Sequence, residues 1–224
     1  MIEIKNLSKG FDGRTVLQKV TLDIPRGAFT GLYGRSGCGK STLAKILCGA
    51  LSPDEGEIFL DGKQLFFNGK YDRETGKRIQ LVRQQPFSAL DPVQKIGDGL
   101  TELARYNKLA KTKAERRALV EKAADDMLLN RQTLNSLPCA ISGGEAQRVS
   151  IAKCLMLNAE YVILDEATSM LDVSTQANVF ALIKDLVKNR GLGVIAISHD
   201  LDLINLLCEK IYFYENFTFK EMQK

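Results

Sequence analysis

The chain has 224 residues, 45% of them hydrophobic and 26% charged, with a formal net charge of +4 from 31 basic and 27 acidic side chains. That suits one large α/β domain, or one domain with a small appended lobe, and excludes a mini-protein that needs staples and a disordered chain. It also gives no concentrated basic face: the clusters Lys111-Thr112-Lys113 and Arg116-Arg117 read as solvated helix faces, and no nucleic-acid partner is expected.

The opening Met1-Ile2-Glu3-Ile4-Lys5 alternates like a strand and lacks the apolar run of a signal peptide. Residues 2–7, 16–24 and 29–33 read as strands, followed by a Gly-rich turn and a helix from about Lys40 to Cys48. Further strands are expected over 57–60 and 79–83, separated by the turn-rich Asn68-Gly69-Lys70. From about Val93 to Leu137 helical patterns dominate: Thr112 caps a helix over 114–127, and Ala123, Met127 and Leu128 fall at helical spacing. After Ser142 strand–helix alternation returns, with strands over 162–164 and 194–197, a helix over 176–188 and a last strand-like run over 211–215. Tyr161-Val162-Ile163-Leu164 and Val194-Ile195-Ala196-Ile197 do not alternate, so both faces should be covered, as in a parallel sheet flanked by helices. The helical stretch between Pro86 and Pro138 reads as an insertion in that core. No stretch approaches the roughly 18 apolar residues that span a bilayer, so any membrane role must run through a partner. Cys38, Cys48, Cys139, Cys154 and Cys208 fall singly, which suits reduced thiols rather than a disulfide framework or a zinc site.

Three segments carry chemistry. Gly34-Arg35-Ser36-Gly37-Cys38-Gly39-Lys40-Ser41 matches G-x-x-x-x-G-K-[ST] in full, between an expected strand and an expected helix. Its glycines let backbone N–H groups approach phosphate oxygens, and the helix N-terminus adds unpaired donors. Lys40 supplies a point charge for the β- and γ-phosphates, and the Ser41 hydroxyl can ligate Mg²⁺. Tyr161-Val162-Ile163-Leu164-Asp165-Glu166 is a buried strand that delivers two acids at its carboxyl edge, where α/β proteins bind ligands. Asp165 would hold Mg²⁺, usually through water, and Glu166 would orient and deprotonate the water that attacks the γ-phosphate. Ser142-Gly143-Gly144-Glu145 is a capping box whose two glycines leave a bare helix N-terminus, a second anion site.

With Ile141 to Arg148 between the phosphate loop and Asp165-Glu166, the chain resembles the ABC-type ATPases, whose Leu-Ser-Gly-Gly-Gln signature stands here as Ile-Ser-Gly-Gly-Glu. The resemblance runs from Phe11 to about His199 and adds roles in family order. Phe11 stacks on adenine, and Thr42 joins the phosphate-loop residues around the nucleotide. Gln84 meets Mg²⁺ and the attacking water and couples to a transmembrane partner. Asp172, in Ser169-Met170-Leu171-Asp172, sits at a dimer seam, and His199 contacts the γ-phosphate. The implied fold is an α/β P-loop NTPase core, mostly parallel sheet flanked by helices, with an N-terminal antiparallel β subdomain. The implied domain is single, with residues 1–85 and 138–224 as core and 86–137 as a helical subdomain insertion.

Gln85-Pro86-Phe87-Ser88-Ala89-Leu90-Asp91-Pro92 looks like the corresponding stretch of the peptide and nickel importer ATPases, although Arg83 replaces the usual aromatic and Gln85 the usual acid. Two prolines stiffen this loop, and Phe87 and Leu90 are expected as exposed apolar contacts for a membrane partner. The resemblance implies ATP and Mg²⁺ as cofactors and a head-to-tail dimer with a second ATP-binding subunit, the same chain or a related one. It implies membrane-spanning permease subunits, an extracytoplasmic binding protein acting indirectly, and a peripheral place on the cytoplasmic face of the membrane. The substrate stays open among nickel, another chelated metal and peptides. The chain ends soon after its last strand-like run, without the extension of many peptide-importer ATPases, which leans toward metal. An ABC ATPase of another transport system, or a non-transport ABC ATPase, remains the alternative.

Overall fold

The computed structural model describes residues 1–167 and 171–222. Its contacts divide the chain into two units, one of Met1–Leu81, Glu160–Glu166 and Val187–Lys224, the other of Val82–Ala159 and Ala167–Leu186.

The first unit opens with β1 (Ile2–Phe11) and β2 (Arg14–Ile24). They are joined by Asp12 and Gly13, with φ of 48° and 77°. A two-residue hairpin needs two left-handed residues to match the twist of its strands, and Asp-Gly adopts them readily. Then come β3 (Phe29–Tyr33), α1 (Lys40–Leu47), β4 (Glu55–Leu60), β5 (Lys63–Gln64), β6 (Phe66–Phe67), β7 (Lys70–Tyr71), α2 (Arg73–Gly76) and β8 (Ile79–Val82). The turn-rich Asn68-Gly69 is the β6–β7 hairpin, again with both residues left-handed.

The second unit carries a 3₁₀ turn (Pro86–Ala89), α3 (Ile96–Tyr106), α4 (Lys113–Asp126), α5 (Arg131–Asn135), a second 3₁₀ turn (Pro138–Ala140) and α6 (Gly143–Met156). The remaining elements are β9 (Tyr161–Asp165), α7 (Val173–Arg190), β10 (Gly193–Ser198), α8 (Leu201–Leu207), β11 (Lys210–Glu215) and β12 (Thr218–Glu221). Nothing in the hydrophobic pattern announced α8 or β12. Asp200 opens α8 by accepting the Leu203 N–H at 3.1 Å.

One sheet is antiparallel, ordered β2-β1-β4-β5; the other is ordered β12-β11-β3-β10-β9-β8. In the latter β11, β3, β10 and β9 run parallel, and β12 returns antiparallel along the edge. Both faces of β10 are buried along its whole length, and those of β9 up to Leu164, as their unbroken apolar runs require. α8 approaches β3 so closely that a Cβ on Gly31 would stand 2.6 Å from Ile204 Cγ2. The antiparallel sheet, α1 and the parallel strands share one core, with Ile4, Leu17, Leu43, Ile58, Ile163 and Ile195 fully buried. Each such side chain contributes about 1.5–3 kcal/mol relative to exposure.

In the second unit Thr112 caps α4 through a complete capping box with Glu115. Ala123 and Met127 are buried, as their spacing required, but Leu128 corrects the expectation: it is 68% exposed. The helix has ended. Leu128 is left-handed (φ 49°), its N–H reaches Asp125 O, and the Leu129 N–H reaches Ala124 O. That C-terminal motif turns the chain so that Leu129, only 6% exposed, takes the inward place instead.

Candidate nucleotide site

The phosphate loop spans the gap between β3 and α1, and its conformation depends on glycine where glycine stands. Gly39 has φ 123°, and a Cβ there would lie 2.9 Å from Val16 Cγ1. No other residue fits both restrictions. Gly39 is also the residue before α1, and no side chain caps that helix, so its first-turn N–H groups stay open to an anion. Arg35, Ser36 and Gly37 form the exposed arch, Cys38 and Thr42 are half-buried, and Gly34 packs under Tyr214. Lys40 is 4% exposed and folds back along the loop, its ammonium donating to Gly34 O at 2.6 Å and Arg35 O at 2.9 Å. Its third contact is a long, weak one to Cys38 Sγ at 3.9 Å, which a phosphate oxygen can displace.

Parallel register delivers the acids. Ile197 of β10 pairs with Asp165 of β9, and Ser198 pairs with Tyr33 of β3, so three adjacent strands end together beside the loop. Ser41 Oγ donates to Asp165 Oδ1 at 3.0 Å. Burial pushes the Asp165 carboxyl above its ordinary range, with the neighbouring Glu166 charge adding to it and Ser41 opposing it. A half-buried carboxylate beside a hydroxyl is the hard-oxygen donor set that suits a divalent cation such as Mg²⁺.

Glu166 stands just past β9 with φ 49°, an unusual conformation for its residue type, held by its N–H donating to Ile197 O at 3.1 Å. Such a backbone costs on the order of 1–3 kcal/mol, and it aims the carboxylate rather than letting it follow the strand. Glu166 Oε1 lies 3.2 Å from His199 Nδ1. His199 follows β10, and the residue behind it, Ser198, accepts the Asp200 N–H at 3.0 Å. Phe11 ends β1 with its ring 41% exposed.

The sequence left two wall residues unnoticed. Val16 touches Gly39, and Tyr214, whose hydroxyl donates to Val16 O at 2.7 Å, stands over Gly34. A Tyr in a strand-like run gave no signal for that contact.

The other expected residues belong to the second unit. Ser142 and Glu145 form the complete capping box of α6. Glu145 Oε1 also accepts from Thr133 Oγ1 at 2.5 Å, and these bonds, Thr133 first, hold its carboxyl below the usual glutamate range. A Cβ on Gly144 would stand 2.4 Å from Thr175 Cγ2, and Gly143 lies against Leu171. Asp172 accepts the Thr175 N–H at 3.0 Å and the Ser174 hydroxyl at 2.6 Å, which depress its carboxyl strongly. Ser169 and Met170 lie outside the described residues. Gln84 is exposed after β8. Phe87 is 42% exposed in its 3₁₀ turn, while Leu90 is half-buried in the wall of a cavity of about 340 Å³. Lys153 supports that wall by donating to Ala89 O at 2.6 Å.

Known proteins resemble this chain over most of its length. Residues 17–169 match the family model described as ABC transporter. The oligopeptide transport ATP-binding protein OppF of Bacillus subtilis is 35% identical over 219 residues, covering 94% of this chain and 71% of that protein. The nickel import ATP-binding protein NikE of Escherichia coli is 36% identical over 219 residues, covering 96% of this chain and 81% of that protein. Among solved structures, cbiO1 of Clostridium perfringens, part of the ABC transporter complex cbiONQ, has a TM-score of 0.86 at 25% identity, covering 98% of this chain and 86% of its own. The ABC transporter cassette MJ0796, solved as a dimer, has a TM-score of 0.83 at 28% identity, covering 100% of this chain and 98% of its own. A post-hydrolysis state of the same cassette holds ADP and Pi. The chain belongs to the ABC transporter family, as one of its ATP-binding, ATP-hydrolysing subunits.

Proposed function

We propose that this chain powers uptake of nickel, another chelated metal or peptides through membrane-spanning subunits, from the cytoplasmic face of the membrane. One observation carries the catalytic part. The phosphate loop, Asp165 and the Glu166–His199 pair stand at the carboxyl ends of three neighbouring parallel strands. The importer part rests on the likeness to oligopeptide and nickel import ATP-binding proteins. Among the described residues no helix is long and apolar enough to cross a membrane.

In this reading Phe11 stacks on the base, and residues 34–42 enclose the phosphates. Lys40 exchanges its weak contact with Cys38 Sγ for the β- and γ-phosphates. Ser41 and Asp165, with Gln84 as the resemblance implies, would hold Mg²⁺, which would supply positive charge to screen the phosphates. Glu166 accepts a proton from the water whose oxygen bonds to the γ-phosphorus as the bond to the β–γ bridging oxygen breaks, leaving ADP and phosphate. His199 holds the Glu166 carboxylate in place and donates toward the γ-phosphate. A second ATP-binding subunit, the same chain or a related one, faces this one head to tail. Ser142, Gly143 and Gly144 then approach the nucleotide of the partner, and Asp172 lies at the seam. The chain forms a single ATPase domain with the helical segment 86–137 inserted, and the loop around Phe87 and Leu90 meets the membrane subunits. A binding protein outside the membrane delivers substrate without touching this chain.

The test is Glu166→Gln. It should retain ATP binding and slow hydrolysis by roughly 10²–10⁴-fold, the usual contribution of a positioned general base. ATPase turnover near that of the parent, measured with the membrane subunits present, removes Glu166 from the role of base.

A further inference from the structure

The ring of Phe11 is not left to itself. Lys9 stands two residues earlier in β1, and its ammonium lies 5.4 Å from the centre of the Phe11 ring, within cation–π range. That ammonium is tethered, donating to Asp54 Oδ1 at 2.5 Å, and the Lys9 side chain is only 14% exposed. The other Asp54 oxygen accepts the Gly10 N–H at 2.8 Å, and the Asp54 N–H donates to Ser8 O at 2.9 Å. One residue, on the loop between α1 and β4, thus grips three successive positions just ahead of Phe11. The bonds to Lys9 and Gly10 also hold the Asp54 carboxyl below its usual range. Lys9, Phe11, Arg14, Leu17 and Asp54 border a cleft of about 520 Å³.

A surface phenyl ring at a strand end has freedom to lose when a flat ligand stacks on it, and an ordered ring has already lost it. An ammonium on one face has a second effect. It draws π density toward itself and leaves the far face less electron-rich, which favours contact with an electron-rich purine.

We infer that Lys9, held by Asp54, is a positioning residue for the Phe11 platform and raises the affinity of this site for the adenine base of ATP. This rests on the reading that Phe11 carries the base. Asp54 follows α1, the helix that begins with Lys40, so the loop after that helix secures the base end of the site while its N-terminus secures the phosphate end.

The experiment separates base from phosphates by titrating the full chain calorimetrically with ATP and with inorganic tripolyphosphate. Lys9→Met keeps the length and loses the charge. It should weaken ATP by roughly two- to ten-fold, leave tripolyphosphate unchanged, and place the kinetic effect on KM for ATP rather than on kcat. Lys9→Arg should restore ATP affinity. Unchanged or tighter ATP binding in Lys9→Met overturns the proposal, as does an equal loss for both ligands, which would mean the phosphate loop had moved. Phe11→Ala tells the two readings apart. If it leaves ATP affinity intact, the platform reading falls and the proposal with it; if it weakens ATP while Lys9→Met does not, the proposal alone falls. Should Lys9→Met fail to fold, Asp54→Asn, which keeps an acceptor for Gly10, carries the same test with the same outcomes.

Discussion

Two helices of this chain begin with glycine-rich sequence, and their N-termini are built in opposite ways. α1 starts after Gly39 with no side-chain cap, so the donors of its first turn await a ligand. α6 starts after Ser142 with a complete capping box: Ser142 Oγ accepts the Glu145 N–H at 3.2 Å, and Glu145 Oε2 accepts the Ser142 N–H at 3.0 Å and its hydroxyl at 2.9 Å. The open end needs no cap to move before it can meet an anion. The closed end is a stable helix start whose hydroxyl must turn away from Glu145 before it can serve a phosphate. Gly-Gly at a helix N-terminus is therefore a poor guide to whether the site is ready; the cap decides.

The comparison breaks most directly at α1. Lys40→Ala removes the cation of the open end and leaves Gly34 O and Arg35 O without their donor. ATP affinity should fall by roughly 10- to 150-fold, the value of a hydrogen bond to a charged group. His199→Ala should keep most of that affinity and lose hydrolysis, because its side chain touches Glu166. Equal losses of affinity in the two, by calorimetry, contradict the division.

A smaller effect is expected at α6. Ser142→Ala removes a cap and should cost about 0.5–2 kcal/mol of stability, read by denaturant unfolding, with ATP binding by the isolated chain untouched. A drop in that binding would show that the closed end serves a nucleotide within its own chain.

The smallest effect concerns acid. The Glu145 carboxyl titrates below its ordinary range because Thr133 and Ser142 donate to its ionised form. Its contribution is therefore present above the ordinary glutamate pKa and lost as pH falls through the lowered value. Glu145→Gln should flatten that acid-side loss in a stability–pH profile; an unchanged profile would assign the loss to other carboxylates.

Much of this was legible in the chain itself, for physical reasons that differ from one element to the next. Unbroken apolar runs such as Val194 to Ile197 announce strands buried on both faces, because nothing polar can be accommodated there. Asn68-Gly69 announces a tight hairpin, because few other pairs accept two left-handed residues. Leu128 falls at helical spacing yet is exposed, because periodicity continues on paper past the point where the backbone has turned. The contact of Tyr214 with Val16 and Gly34 joins residues nearly the whole chain apart, and no local pattern encodes it.

The spacing Gly34, Gly39, Lys40, Ser41 by itself marked a candidate phosphate loop and its candidate groups, because a loop, a helix start and their donors are local. Asp165 and Glu166 were equally determined as acids at a strand end. Only the tertiary structure decided which groups they meet. Asp165 reaches Ser41 across 124 residues, and Glu166 reaches His199 across 33, through the parallel register of β9 with β10. The left-handed turn at Glu166 and the grip of Asp54 on Lys9 belong to the same class. Alternation along a strand states which face a side chain takes, and pairing between strands, set by the packing of the whole core, states what it finds there.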